Sequence, residues 1–444
     1  MPVQKKIPIV KVNSPTGTRF LKQIETARLK RDDLVGRRVE EIIRDIEKRG
    51  DSALFEYSAK FDKVKVSART VRFTPEEIKR SAAQVPPDLK KAIRESAKRI
   101  RSFHQMQGLR TFTHRSSESI LKQIVRPLGR VAVYIPGGYT AYSSSVLMSV
   151  IPAQIAGVKE IVAVTPPRGE LDPAIAYALS YLKVKEVYRI GGAQAIAALA
   201  YGTKSIPAVD KIVGPGNAYV ATAKKLVYGK VDIDSVAGPS EVVIIADNQA
   251  NPQWVAQDLL AQAEHGSGDE TAVCITENAS FAQKVALAVI EAINASTVKQ
   301  TLQKLPAHAI TIFLTGSREQ SIALSNTIAP EHLQIITQTA TKDLAAITNA
   351  AAVFLGPLTP VAMGDYMIGT NHVLPTNGAA RFACPLGVES FQKRISVAQI
   401  TASGLKKLAP MVSVFARNEQ FVHHAISAEC RVSGIVDATN QRRQ

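Results

Sequence analysis

The chain has 444 residues, enough for two or three domains with cores of their own. Its 45% hydrophobic and 21% charged content excludes disordered and collagen-like chains. The net charge of +17 is local: residues 1–130 hold 31 Lys and Arg against 15 Asp and Glu, and the remainder holds 24 against 23.

In chain order, the first 24 residues carry Lys5, Lys6, Lys11, Arg19 and Lys22 and no acid. That bias faintly resembles an organelle transit segment, but without amphipathic spacing it reads as an exposed basic leader. Residues 31–105 read as helical, broken at Gly50 and Pro86-Pro87. DDLVGRRVEEIIRDIEKRG places Leu34, Val39, Ile42, Ile43 and Ile46 mainly on one face, and Gly50 stops the helix. The interleaved acids and bases of this region are the pattern of solvated helix faces. With no zinc finger and no RNA-binding aromatic motif, they do not point to nucleic acid. Thr74 and Pro75 read as the N-cap and first residue of the next helix. The longest apolar stretch, near Ser145 to Val158, is interrupted by Pro152 and too short to span a bilayer.

From Arg130 the texture changes. VAVYI, EIVAVT, EVYRI, DKIVG, EVVIIAD, TAVCIT, AITIFLT and AAVFLG alternate with helical segments, which predicts parallel sheets with helices on both faces. So many strands exceed one small sheet, so two α/β domains are expected. Beyond residue 385 the strand pattern stops and helices are expected. Cys274, Cys384 and Cys430 are scattered and odd in number, which fits a reducing cytoplasm.

Four segments carry ionisable groups of chemical interest. In NPQWVAQDLLAQAEHG, Asn251 reads as an N-cap, and Gln262 and His265, three apart, share a helix face as a metal-ligating pair would. In APEHLQI, Glu331 and His332 follow Pro330 on an expected turn; a carboxylate beside an imidazole can supply a base and activate water. GDYMIGTNHVLPTNG reads as an irregular loop carrying Asp365, Tyr366 and His372. In NEQFVHHAISAECR, Glu419 and His423 are four apart on an expected helix face, and spacing does not choose between His423 and His424. The glycine segments VYIPGGY, RIGGAQA and IVGPGNAY each follow a strand, where amides can meet a phosphate. None is the dinucleotide fingerprint GxGxxG with an acid downstream.

Taken together, these segments resemble the histidinol dehydrogenase family. The likeness extends from RGDSALFEYSAKFDK to AISAECR through PLGRVAVYIPGG, GGAQAIAALAYGT, VDKIVGPGNAYV, AGPSEVVIIAD, LLAQAEHG, APEHL, VFLGPLTPVAMGDY and GTNHVLPT. The resemblance implies oxidation of L-histidinol through L-histidinal to L-histidine with two NAD⁺. It implies one zinc per subunit on Gln262, His265, Asp365 and His424, with His424 preferred to His423 because Ala425 follows it and Glu419 lies five residues before. It further implies Glu331 and His332 as the catalytic pair, with Ser240, His372 and Glu419 joining His332 and the metal ligands around substrate, and Tyr134, Gln194 and Asn217 touching NAD. The implied fold is two incomplete Rossmann-like α/β/α domains with N-terminal helices and a helical C-terminal tail, in an intertwined homodimer. Residues 1–27 would be an N-terminal arm, 28–130 plus 241–384 the domain with the Glu-His pair, 131–240 the NAD-binding domain, and 385–444 a tail crossing to the partner. Around the last ligand the chain departs from the family pattern, with Glu419-Gln420-Phe421 and His423 in place of an acid-Gly-Leu run and a small residue. The competing reading is a paralogous zinc- and NAD-dependent dehydrogenase of another small amino or sulfonated alcohol. A non-catalytic nucleic-acid-binding protein on the same scaffold is disfavoured by the intact Glu331-His332 pair.

Overall fold

The structure, a computed structural model, describes residues 6–29, 33–137, 142–167, 169–264, 269–306 and 308–441. It is a mixed α/β fold with parallel sheets and a C-terminal helix. Two compact units form, Met1–Gln107 with Leu128–Phe391, and Gly108–Pro127 with Gln392–Gln444. The strands are β1 (Ile9–Lys11), β2 (Phe112–Arg115), β3 (Ser119–Pro127), β4 (Arg130–Tyr134), β5 (Glu160–Thr165), β6 (Glu186–Arg189), β7 (Lys211–Val213), β8 (Asp232–Ile233), β9 (Glu241–Ala246), β10 (Thr271–Thr276), β11 (Ile310–Leu314), β12 (His332–Ile336), β13 (Ala352–Leu355) and β14 (Gln392–Ile400).

The larger unit holds two parallel sheets. One has the order β6-β5-β4-β7-β8, the other β1-β11-β10-β9-β12-β13. In each, the chain moves outward from a central strand, then returns to that strand's other side. Register is fixed at the centre by Val243, which faces Val273 on one neighbour and Leu333 on the other. Alternate residues feed opposite faces: Val242, Ile244 and Ala246 enter one core, and Val243 and Ile245 another. Covering both faces is why these strands read as unbroken apolar runs.

The helix Asp33–Arg49 buries Val35, Val39, Ile42, Ile43 and Ile46. Leu34 is 58% exposed, so the apolar face begins one residue later than expected. Gly50 lies at φ 55, a conformation that favours glycine, and ends the helix. Thr74 caps Pro75–Ala83 in a full capping box with Glu77. Pairs such as Arg49–Asp45 and Arg99–Glu95 line the exposed helix faces of the basic N-terminal third.

In the smaller unit, β3 pairs antiparallel with β2 and with β14. Strand β14 corrects the expectation that strands cease beyond residue 385. Its sequence, QKRISVAQI, is largely exposed and lacks the apolar run of a strand covered on both faces. The helices Ala402–Asn418 and Val422–Gln441 follow and pack on each other. Gln420, at φ 63, breaks the helix between them, so Glu419 and His423 do not share one helix face as expected. Among the described residues, no helix is long and apolar enough to cross a membrane. The three cysteines are free; Cys274 is buried, and Cys384 and Cys430 are exposed.

Candidate functional site

The helix Arg318–Ile328 ends in Ala329, at φ 51, and Pro330 then leads into β12. Glu331 therefore precedes the strand and His332 opens it, at its amino end beside the start of β9. Each is 6% exposed, so this is a buried pair rather than the surface turn expected. The His332 Nδ1–H donates to the Glu241 carbonyl at 3.0 Å. A carbonyl can only accept, so in the neutral ring Nε2 carries the lone pair. That nitrogen lies 3.9 Å from Asp365 Oδ1. The Glu331 carboxylate accepts the Glu241 backbone N–H at 2.9 Å and lies 3.6 Å from His332 Nδ1. Burial pushes Glu331 well above the usual carboxylate range, and the Glu241 and Asp365 carboxylates push the same way against the hydrogen bond from Glu241.

Asp365 lies in the short helix Val361–Tyr366, not in a loop, and the irregular chain begins after it. Gly364 is required there: a Cβ would come within 2.4 Å of the Phe354 ring, which lies against His332 at 6.1 Å between ring centres. The half-buried His372 ring donates from Nδ1 to the Asp365 carbonyl at 2.9 Å. Burial lowers its pKa to about 4 despite that bond, so the ring is neutral near pH 7. Ser240 is half-buried immediately before Glu241. Nearby, Asn371 donates to the Met148 carbonyl at 2.7 Å and pins the irregular segment.

Gln262 is buried in the last turn of the helix Pro252–Ala263, which Asn251 caps as expected by accepting from the Gln253 and Trp254 amides. Partial burial, and then the charges of Asp365 and Glu264, raise the Tyr366 pKa. A Gln oxygen and a carboxylate are donors that suit a hard or borderline divalent cation. His265 lies outside the described residues. Among the described residues, no group of three or more His, Cys, Asp or Glu side chains could hold a metal ion.

The other expected cofactor contacts gather at the carboxyl ends of the five-stranded sheet. Tyr134 closes β4, and its hydroxyl accepts the Gly192 amide at 3.1 Å. Burial raises its pKa to about 12. Gln194 follows in the helix Gly192–Tyr201 and donates to Asp62 at 3.2 Å. Asn217 is exposed and caps the helix Ala218–Val227. Glu419 and His424 are both exposed in the smaller unit, with His424 5.1 Å from the Phe421 ring.

Sequence reasoning missed Arg28, Glu241 and Asp62. Glu241 had a signal, a charge opening the buried strand EVVIIA. Arg28 had none, because it meets Glu241 across 213 positions of sequence.

A sequence profile described as histidinol dehydrogenase matches residues 25–432. The chain is 46% identical over 413 residues to histidinol dehydrogenase of Bacillus cereus, covering 90% of this chain and 93% of that protein. It is 42% identical over 409 residues to that of Pseudomonas syringae pv. syringae, covering 90% of each. The crystal structure of histidinol dehydrogenase from Elizabethkingia anophelis superposes with a TM-score of 0.89 at 34% identity, over 97% of this chain and 99% of that one. With most of its length matched in both sequence and structure, the chain belongs to the histidinol dehydrogenase family, oxidoreductases of histidine biosynthesis.

Proposed function

We propose that the chain carries L-histidinol through bound L-histidinal to L-histidine, a four-electron oxidation. The observation that carries this reading is the oriented His332 ring, anchored by Nδ1 on a backbone carbonyl, with Nε2 directed toward Asp365 beside a buried glutamic acid. Gln262, His265, Asp365 and His424 would hold one zinc per subunit, which would supply a charged anchor that orients the substrate, and two NAD⁺ bound in turn would supply the hydride acceptors. His332 Nε2 takes the alcohol proton as the first hydride leaves. In its ionised form Glu331 accepts a proton from the water that adds to the aldehyde, while His332 returns its proton to the carbonyl oxygen and becomes a base again; burial makes the Glu331 carboxylate a stronger base. His332 then takes the proton of the hydrate as the second hydride leaves. Ser240, His372 and Glu419 complete the substrate's surroundings, and closure of the site around the aldehyde keeps bulk water from a reactive intermediate.

Tyr134, Gln194 and Asn217 are assigned to NAD. The five-stranded order places the reversal of direction between β4 and β7, where ligands of incomplete Rossmann-like sheets collect. The 131–240 segment is accordingly the NAD-binding domain, residues 28–130 with 241–384 carry the Glu-His pair, and 385–444 form a tail reaching a second copy. Homodimerisation is supported by the exposed Met411, Val414, Phe415, Val422 and Ile426 on the tail helices. Free thiols fit a cytoplasmic location.

The test follows NADH against L-histidinol and other vicinal amino alcohols. Two NADH per L-histidinol are expected, with activity lost to a chelator and restored by zinc. One NADH with release of free aldehyde would overturn the mechanism, and preference for another alcohol would overturn the substrate. Glu331→Gln and His332→Asn should each lower kcat by about 10²- to 10⁴-fold.

A further inference from the structure

Arg28, in the last turn of the helix Pro15–Leu29, is far in sequence from the site but reaches its foundation. Its Nε donates to Glu241 Oε1 at 2.8 Å, and its Nη1 donates to the Ile328 carbonyl at 2.8 Å. The guanidinium and carboxylate are almost fully buried, at 13% and 3% side-chain exposure. Room for this bridge depends on Gly378, at φ 72, where a Cβ would lie 2.8 Å from Arg28 Nη1.

The two anchored segments are the ones that frame the pair. Glu241 opens β9 and supplies both the N–H that holds Glu331 and the carbonyl that orients His332. Ile328 ends the helix that turns through Ala329 and Pro330 into Glu331. A planar, two-pronged cation is suited to this crosslink. A buried carboxylate left without it would be costly.

We propose that Arg28 and Glu241 are positioning residues: their ion pair, with the second Arg28 prong on Ile328, fixes the start of β9 against the turn into β12 and so sets the Glu331 carboxyl and the His332 ring. This rests on the reading of Glu331 and His332 as the catalytic pair.

The experiment compares Arg28→Met, Arg28→Lys and Glu241→Gln with the parent enzyme. It measures steady-state kinetics with L-histidinol and NAD⁺ and the ring-nitrogen NMR signals of His332 in ¹⁵N-histidine-labelled protein. The chain has only eight histidines, so His332→Asn identifies the signal. Arg28→Met should lower kcat by about tenfold or more, since small misplacements of reacting groups are expensive. Its KM for NAD⁺ should stay within about twofold, because the change leaves the expected cofactor contacts intact. The His332 signals should shift, and Arg28→Lys should recover part of the turnover and of the parental signals. If Arg28→Met does not fold, Glu241→Gln is read by the same criteria, being neutral and of similar volume. Parental kcat with parental ring signals in the folded variant would overturn the proposal. So would a loss of stability with kcat unchanged. Parental turnover in His332→Asn would instead refute the catalytic reading itself, whereas loss there with parental behaviour in Arg28→Met refutes only the positioning role.

Discussion

Asp62 closes the π-helical turn Ser58–Asp62, and burial raises its carboxyl to about 6 although Gln194 donates to it. Folding therefore favours its neutral form. Between the ordinary value of 3.8 and about 6, the folded chain binds more protons than the unfolded one, so this group's contribution to stability falls as pH rises through that window. Asp62→Asn should raise Tm relative to the parent above about pH 6, and the difference should vanish below about pH 4; Tm measured across pH checks this. An equal gain at every pH would assign it to packing instead. Residues like Asp62 show where sequence reading stops. Gln262, Asp365, Glu331 and His332 were legible because they sit in long segments whose order resembles a family. The burial of Glu331 and the ring direction of His332 depend on Glu241, which arrives from another strand, and no local spacing encodes that meeting.

Strands covered on both faces were legible as apolar runs from VAVYI onward, because burial leaves them no polar alternation. β1 and β14 were not. β1 is only three residues long, and β14 presents charge and alternation to solvent. The site also departs from the expectation that ligands meet an open α/β sheet at its carboxyl ends. Tyr134 and Gly214 do lie at carboxyl ends, of β4 and β7, but Glu241 and His332 stand at the amino ends of β9 and β12. Gly214 belongs to the first of these edges. It lies at φ 110, and a Cβ there would come within 2.2 Å of the Tyr134 carbonyl. Its amide donates to Asp234 at 2.7 Å, and the buried Lys224 joins the same carboxylate and the Gly214 carbonyl. Gly214→Ala should destabilise the fold by about 2 kcal/mol or more, read by urea unfolding, since neither the dihedral nor the space accepts a side chain. Any folded fraction should show a raised KM for NAD⁺ with kcat less affected. A normal unfolding midpoint would show that the loop after β7 relaxes freely.

Across the whole molecule, the residues assigned to one reaction belong to different compact units. The larger unit carries Glu331, His332, Asp365 and Gln262, and the smaller one carries Glu419 and His424. The smaller unit's helices expose Phe415 and Val414 at 71% and 72%, an apolar surface that a second copy of the chain would cover. If His424 serves the partner's site, inactive variants should complement one another. In a hybrid of His424→Ala with His332→Ala, the first chain keeps its His332 and receives an intact His424 from the second, so one of the two sites is whole. The other site lacks both. Random reassortment of equal amounts makes half of the dimers hybrids, so the mixture should reach about one quarter of parental activity, as two-fold symmetry requires. If each tail served its own subunit, every site would lack one histidine and no activity would return. The measurement therefore needs two readouts, native mass spectrometry to show that hybrids have formed and NADH production to count complete sites. Hybrids without activity would assign His424 to its own chain's site, whereas full activity of His424→Ala alone would place it at no site, and the ligand set would then have to be completed by another group.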